Sequence, residues 1–579
     1  MRFPRILALI VLAFLPTLIG WVQPPVLDVE EHVWIPMRDG VKLAANVFRP
    51  HGTAKMSAIV IRTPYGKDRW VSGNYQAFVD HGYAVVVQDV RGRYASEGHF
   101  NPLWQEPQDG NDTLNWVAAQ PWCDGKIGMT GGSYLGISQW KVAVLNNPHL
   151  KAIFTVVSGD DDYRDRFYSP GGAMKWGHRL LWVSENLKEP GYVAPDFAQY
   201  IWTLPPRRAE KVVTGSRDSL LQPAFNHPSY DAFWKNISTR EKLKNCKVPV
   251  FSVAGWYDNY VESDLDAFRQ MRKYTGLSRI MIGPWPHNMS TPITTVDFGK
   301  DRLVPLRRSQ LDWFDQWLKG KDRPLLSQPP VRLFVMGANE WRDENEWPLA
   351  RAISTRFYLK SDGHANSFSG AGRLVARPER VNPQDRYVYD PRNPVPTMGG
   401  AVCCDNKIFP WGPLDQRPVE KRHDVLVYTT EPLTEDIEVT GPISLVLYAA
   451  TSAKDTDFTA KLVDVYPDGR AINLTDGILR ARYRDSLESP KLLATGDPVK
   501  YTIDVGVTSN LFRRGHRIRL EVSSSNFPRF DRNPNTGRPI ADETQLLKAS
   551  QTIFHDRAHP SQLILPVIPP KPALNTTRL

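Results

Sequence analysis

Cysteine is scarce. The 579 residues hold only Cys123, Cys246, Cys403 and Cys404, too few for a disulfide framework to support a chain of this length. Cys123 and Cys246 stand alone and read as buried free thiols. The vicinal pair Cys403-Cys404 leaves both a bridge and two thiols open. No other Cys or His stands near the pair at ligand spacing, so neither a metal nor another cofactor is expected. Also missing is any run of Lys and Arg interleaved with stacking aromatics. The net charge of +10 is spread among acids, which disfavours nucleic acid as a partner. The absence of internal repeats and low-complexity tracts excludes solenoids and disordered linkers. Beyond the first twenty residues no stretch is long and apolar enough to span a bilayer.

What is present points to packed cores. Apolar residues make up 41% of the chain and aromatics 11%, with 18 Trp. The length divides into about two to four domains. The first segment, Met1-Arg2-Phe3-Pro4-Arg5 followed by the apolar run Ile6 to Gly20, has the layout of an export signal. No small-x-small cleavage site stands around Leu18-Ile19-Gly20. Residues 1–25 therefore read as a signal peptide or as an N-terminal membrane anchor, and the protein is expected to be periplasmic or secreted.

Residues 26–159 alternate strands with helices. Val33–Met37 and Lys42–Phe48 flank Arg38-Asp39-Gly40 as a hairpin. Ala58–Ile61 and Ala84–Val90 are apolar runs suited to strands buried on both faces. Helices are expected near Tyr75–His81 and Asp109–Ala119. This alternation predicts an α/β fold with a mostly parallel sheet. Residues 160–245 lose strand signals and read as a helical cap, with helices over Met174–Leu187 and Tyr200–Val212. Strands resume in residues 246–325 at Val248–Trp256 and Ser278–Gly283, followed by a helix at Leu306–Leu318. From 326 to 579 short strands follow one another, beginning with Val331–Met336, and predict an all-β domain of sandwich or jelly-roll type.

Gly131-Gly132-Ser133-Tyr134-Leu135-Gly136 lies between the strand candidate Lys126–Thr130 and a helix candidate from Gly136 to Leu145. A serine on so tight a turn presents its hydroxyl above a sheet, and the following amides can hold an oxyanion. The usual esterase pattern has Gly two residues after the serine; here Leu135 holds that place. A serine nucleophile needs a base, and the base an orienting carboxylate. Asp258 directly follows the strand ending Gly255-Trp256-Tyr257, and His287 follows Ile280 to Pro286. Nucleophile, acid and histidine thus occur in the α/β-hydrolase order, each after a strand. The Tyr134 amide is one oxyanion donor. Tyr65, in Arg62-Thr63-Pro64-Tyr65-Gly66-Lys67, offers its phenol as a second donor, or is merely the aromatic of a turn.

Several segments together carry a resemblance. These are Arg62-Thr63-Pro64-Tyr65, Asp89-Val90-Arg91-Gly92-Arg93 through Ser96-Glu97-Gly98, the Ser133 hexapeptide, Ser169-Pro170-Gly171-Gly172, Gly255-Trp256-Tyr257-Asp258 and Gly283-Pro284-Trp285-x-His287. Thr440-Gly441-Pro442-Ile443, Asp455-Thr456-Asp457-Phe458 and Asp464 to Gly469 extend it into the C-terminal half. The chain resembles the cocaine esterase and X-prolyl dipeptidyl-peptidase-like (CocE/NonD) serine hydrolases over nearly its whole length. The resemblance implies Ser133 as nucleophile, His287 as base then acid, Asp258 as orienter, and Tyr65 with the Tyr134 amide as oxyanion hole. It also implies an acyl pocket lined by Phe167 and Tyr260, positions that ordinary core packing would explain equally well.

The expected reaction is hydrolysis of a small carboxylic ester or amide through an acyl-enzyme. An X-prolyl dipeptidyl-peptidase, α-amino-acid ester hydrolase or acylase is the alternative. Such an enzyme needs carboxylates for a substrate ammonium, for which Asp160-Asp161-Asp162, Glu262 and Asp264 are candidates unless they are capping residues. The non-enzymatic alternative is an exported β-sandwich binding protein carrying a retired hydrolase site; loss of a triad member would support it, and none is lost.

Overall fold

The computed structural model describes residues 27–570, apart from positions 53, 71–74, 217–219, 290–292, 294 and 381–382. The expected signal or anchor, residues 1–25, lies outside the described residues. Among those described, no helix is long and apolar enough to cross a membrane.

Ten strands form the first sheet: β1 (Leu27–Pro36), β2 (Lys42–Pro50), β3 (Met56–Thr63), β4 (Ala84–Asp89), β5 (Cys123–Gly132), β6 (Leu150–Val156), β7 (Val250–Tyr257), β8 (Ser278–Pro286), β9 (Val331–Val335) and β10 (Glu340–Glu344). Their order is β1-β2-β4-β3-β5-β6-β7-β8-β9-β10. Pairing is parallel from β4 through β9, with antiparallel strands at both edges. The two-residue period of a strand explains why both faces are apolar. Ala84 and Val86 of β4 face one cluster with Trp140 and Met271, while Val85 and Val87 face another with Phe78 and Phe314. Helices α1 (Gln76–Asp80), α2 (Glu106–Ala118) and α3 (Tyr134–Ala143) connect the early strands.

Between β6 and β7 the chain forms α4 (Gly177–Asn186), α5 (Phe197–Tyr200), α6 (Ala209–Thr214), α7 (Leu221–Asn226) and α8 (Ala232–Ile237). Later come α9 (Val261–Tyr274) and α10 (Leu306–Lys319). Three expectations need correction. The helix expected over Tyr200–Val212 is broken into α5, a short 3-10 turn and α6, because Pro205 and Pro206 remove donors from its middle. Strand β6 gave no signal that was read, although it sits at the centre of the sheet. Val331–Met336 does not open the all-β part: β9 pairs with β8 and, with β10, completes the first sheet.

The second sheet has eleven strands, from Ile353–Lys360 to Gln562–Ile568. Its long pair, Ile437–Thr451 with Val499–Phe512, is antiparallel. Leu445, Ile503 and Leu520 meet Trp256, Ile280 and Ile282 of the first sheet in one shared core.

The helical segment is fastened to the C-terminal half. Trp176 N and Gly177 N donate to Arg529 O and Pro528 O at 2.9 and 2.6 Å, and Met174 N donates to Asp531 Oδ1 at 2.8 Å. Buried Arg480 holds Asp531 in place, bonding it and Asp457 at 2.8 and 2.9 Å. Burial pushes the Asp457 carboxyl up to about 6, with Arg480 opposing the rise, so it is ionised at neutral pH. Arg480→Met would leave two buried carboxylates without a counter-charge. It should destabilise the fold by about 3–5 kcal/mol, read as a lower urea midpoint; an unchanged midpoint would show that the ion pairs are dispensable.

Candidate active site

Strands β5, β7 and β8 end on the same edge of the sheet, with β6 between the first two. Ser133 caps α3 with φ 55° and ψ −125°, a region costing a non-glycine residue about 1–3 kcal/mol. Two glycines make this turn feasible. At Gly131 (φ +138°) a Cβ would lie 2.6 Å from the Leu135 Cβ, and at Gly136 one would lie 2.6 Å from the Ser158 Cβ. The close approach of helix to sheet therefore falls at Gly136, which explains why the turn tolerates Leu135. Ser133 N donates to Val156 O at 2.9 Å, tying the nucleophile to β6.

The predicted triad is assembled. His287 Nδ1 donates to Asp258 Oδ2 at 2.6 Å, and the Ser133 hydroxyl lies 3.0 Å from His287 Nε2. Asp258 is fully buried, and its Oδ1 accepts the Tyr260 N–H at 2.9 Å. Burial alone would lower the His287 pKa; the charge and hydrogen bond of Asp258 override it and raise it to about 9.

Tyr65 lines the same cleft as Ser133. Burial pushes its phenol up to about 12, with a hydrogen bond from Trp182 opposing the rise, so it remains a donor at neutral pH. Trp182 Nε1 donates to the Tyr65 oxygen at 3.2 Å, which frees the phenolic hydrogen to point elsewhere. The Tyr134 N–H lies in the first turn of α3, where a helix supplies no acceptor. The Tyr134 ring stacks on Trp182 at 6.2 Å and 2°, and its hydroxyl donates to Glu106 at 2.9 Å. Phenol and amide thus share the cleft with Ser133, in the places expected of two oxyanion donors. Trp182, which supports both, carried no sequence signal beyond its place in a predicted helix.

The two expected acyl-pocket residues part company. Tyr260 lines the cleft and meets the His287 ring edge-on at 5.6 Å. Phe167 does not line it: its ring is fully buried, packed against Trp234 at 5.2 Å and covered by the Arg179 guanidinium at 5.1 Å. The cleft, about 1310 Å³ with its open mouth, is walled also by Arg179, Cys403 and Cys404. All four cysteines are free thiols, and Cys404 Sγ donates to His178 O at 3.8 Å.

Asp160, Asp161, Asp162 and Asp264 are held by internal partners. Asp160 accepts from Ser263 and Arg240 at 2.7 and 3.0 Å, Asp161 caps the turn at Tyr163 and Arg164, and Asp162 joins Lys141 and Arg166 at 2.5 and 2.6 Å. Asp264 accepts the Gly159 N–H, and Glu262 lies in a separate cavity with Lys175 and Arg529.

Two family models match the chain. The X-Pro dipeptidyl-peptidase (S15 family) model covers residues 39–289, and that of the X-Pro dipeptidyl-peptidase C-terminal non-catalytic domain covers 326–564. The chain is 41% identical to the cocaine esterase of Rhodococcus sp. (strain MB1 Bresler), over 93% of this chain and 99% of that one. Among solved structures it is similar to an aminopeptidase from the marine sediment archaeon Thaumarchaeota archaeon, at 27% identity and a TM-score of 0.83, covering 96% and 98% of the two chains. An α-amino acid ester hydrolase is similar at 26% identity and a TM-score of 0.79, covering 96% and 100%.

Tyr65→Phe, which removes one oxyanion donor, should lower kcat about 10²–10³-fold with a smaller change in KM. An unaltered kcat would remove the phenol from the reaction. Because neutral His287 is the base, kcat/KM should rise with pH through an acid limb near 9. Asp258→Asn removes the charge that holds this value up, so the limb should move to lower pH as kcat falls about 10⁴-fold.

Proposed function

We propose, for a chain that belongs to the cocaine esterase and X-Pro dipeptidyl-peptidase (S15) family of serine hydrolases, that its reaction is the cleavage of a carboxylic ester in preference to a peptide. Ser133 Oγ attacks the carbonyl carbon while His287 Nε2 takes the hydroxyl proton. Tyr65 and the Tyr134 amide hold the oxygen as it becomes negative. The imidazolium, steadied by Asp258, gives its proton to the departing alkoxide, leaving the acyl group on Ser133. Water then repeats the sequence, and the carboxylic acid departs.

The observation supporting an ester is the state of the carboxylates. An aminopeptidase or amino-ester hydrolase holds the substrate ammonium with acidic groups. Here Asp160, Asp161 and Asp162 are buried and committed to internal partners. The acid walling the cleft, Glu185, stands at its exposed rim. An ammonium deep in the cleft would meet Arg179 instead. Export is part of the same proposal, supported by the basic start and apolar run of residues 1–20.

Labelling with a fluorophosphonate, followed by peptide mapping, should modify Ser133 alone and fail in His287→Ala. Phenyl esters of short acids should be turned over with kcat/KM at least about 100-fold above that for X-Pro anilides. The reverse preference would establish the peptidase. Cell fractionation should place the full chain outside the cytoplasm; a cytoplasmic product would overturn export.

A further inference from the structure

Arg179 is the charge in the cleft that the chemistry above leaves unused. It lies on α4, is only 6% exposed, and walls the same cleft as Ser133 and His287. Its Nε and Nη2 donate to a single carbonyl, Arg166 O, at 3.1 and 2.5 Å, and its plane covers Phe167. This leaves Nη1 to the cleft. Among the described residues no carboxylate lies within ion-pair distance of it, 4.0 Å.

Neighbouring cations are provided for: Arg166 binds Asp162 at 2.6 Å, and Lys175 has Asp165 at 3.9 Å and Asn259 O at 3.0 Å. The groups facing Arg179 supply no such partner. Asp258 is committed to His287. Burial and the Arg179 charge push the His178 pKa far down, so it is neutral. Burial pushes the Tyr260 phenol up, so it too is neutral. The Cys404 hydrogen bond pulls the Cys403 thiol down, but a single sulfur cannot match the two-pronged guanidinium as a carboxylate does. A buried guanidinium without a counter-ion is unfavourable. This one also acts electrostatically on His287, opposing the imidazolium that acyl transfer requires.

An anionic group on the substrate removes both penalties. We propose that Arg179 binds a substrate carboxylate, and that the ester cleaved carries this carboxylate on its acyl part, as in a half-ester of a dicarboxylic acid. The acyl part is the one assigned because Arg179, Tyr260 and Cys403 form a buried wall, whereas Arg69 and Glu185 mark the exposed rim. The alcohol must leave by the rim while the acyl group is still bonded to Ser133. This inference rests on the ester-hydrolase reading.

The test compares phenyl butyrate with monophenyl succinate, which differ in acyl charge, by phenol release after subtraction of spontaneous hydrolysis. The native enzyme should favour the anionic ester by about 10- to 100-fold in kcat/KM. That ratio should collapse toward one in Arg179→Met and be partly retained in Arg179→Lys. A native ratio of one or less, or the same ratio in Arg179→Met, overturns the assignment. Turnover of neither ester by the native protein would overturn the ester reading itself. If Arg179→Met does not fold, inhibition of the native enzyme decides. Succinate should inhibit at least about tenfold more tightly than butyramide, and equal inhibition would overturn the proposal.

Discussion

The fully buried carboxylate of Asp258 is the constraint around which the site is arranged. One oxygen fixes the His287 ring and the other takes the amide of Tyr260, so both the base and a wall of the cleft are set by one side chain. A buried anion of this kind disfavours a second negative charge beside it. The Asp264 carboxyl shows this: burial, reinforced by Asp258, pushes its pKa far up, and it spends one oxygen on Gly159 N–H. The sheet delivers the geometry, because adjacent parallel strands β7 and β8 end side by side and release Asp258 and His287 at the same level.

The catalytic triad was legible in the sequence because each member follows a strand or turn with a strong local signature. The apolar runs before Asp258 and His287 announce buried strands, and the glycines around Ser133 announce a tight turn. The phenol of Tyr65 needed the family resemblance, since a Pro-Tyr-Gly turn carries no chemistry by itself. Strand β6 was hidden by Lys151 near its start, which breaks the apolar run of Leu150–Val156. The sheet membership of β9 was hidden for another reason: strand signals report local conformation, not the neighbour a strand chooses.

Phe167 and Arg179 show the limit most clearly. An aromatic and a cation twelve positions apart look like a core residue and a solvated one. In the fold the guanidinium lies over the ring, so the cleft meets the charge and the aromatic is withdrawn behind it. Only packing can exchange two such roles. The acidic run Asp160 to Asp162 illustrates the converse, a set of charges each paired with a cation inside the protein.

The hydrogen bond from Met174 N to Asp531 spans 357 positions. Trp182, which positions the Tyr65 phenol, sits on the helix that begins just after this anchor. During synthesis Ser133 and His287 leave the ribosome long before Asp531 does. The nascent chain therefore holds its nucleophile and base well before the clamp that secures its oxyanion donors.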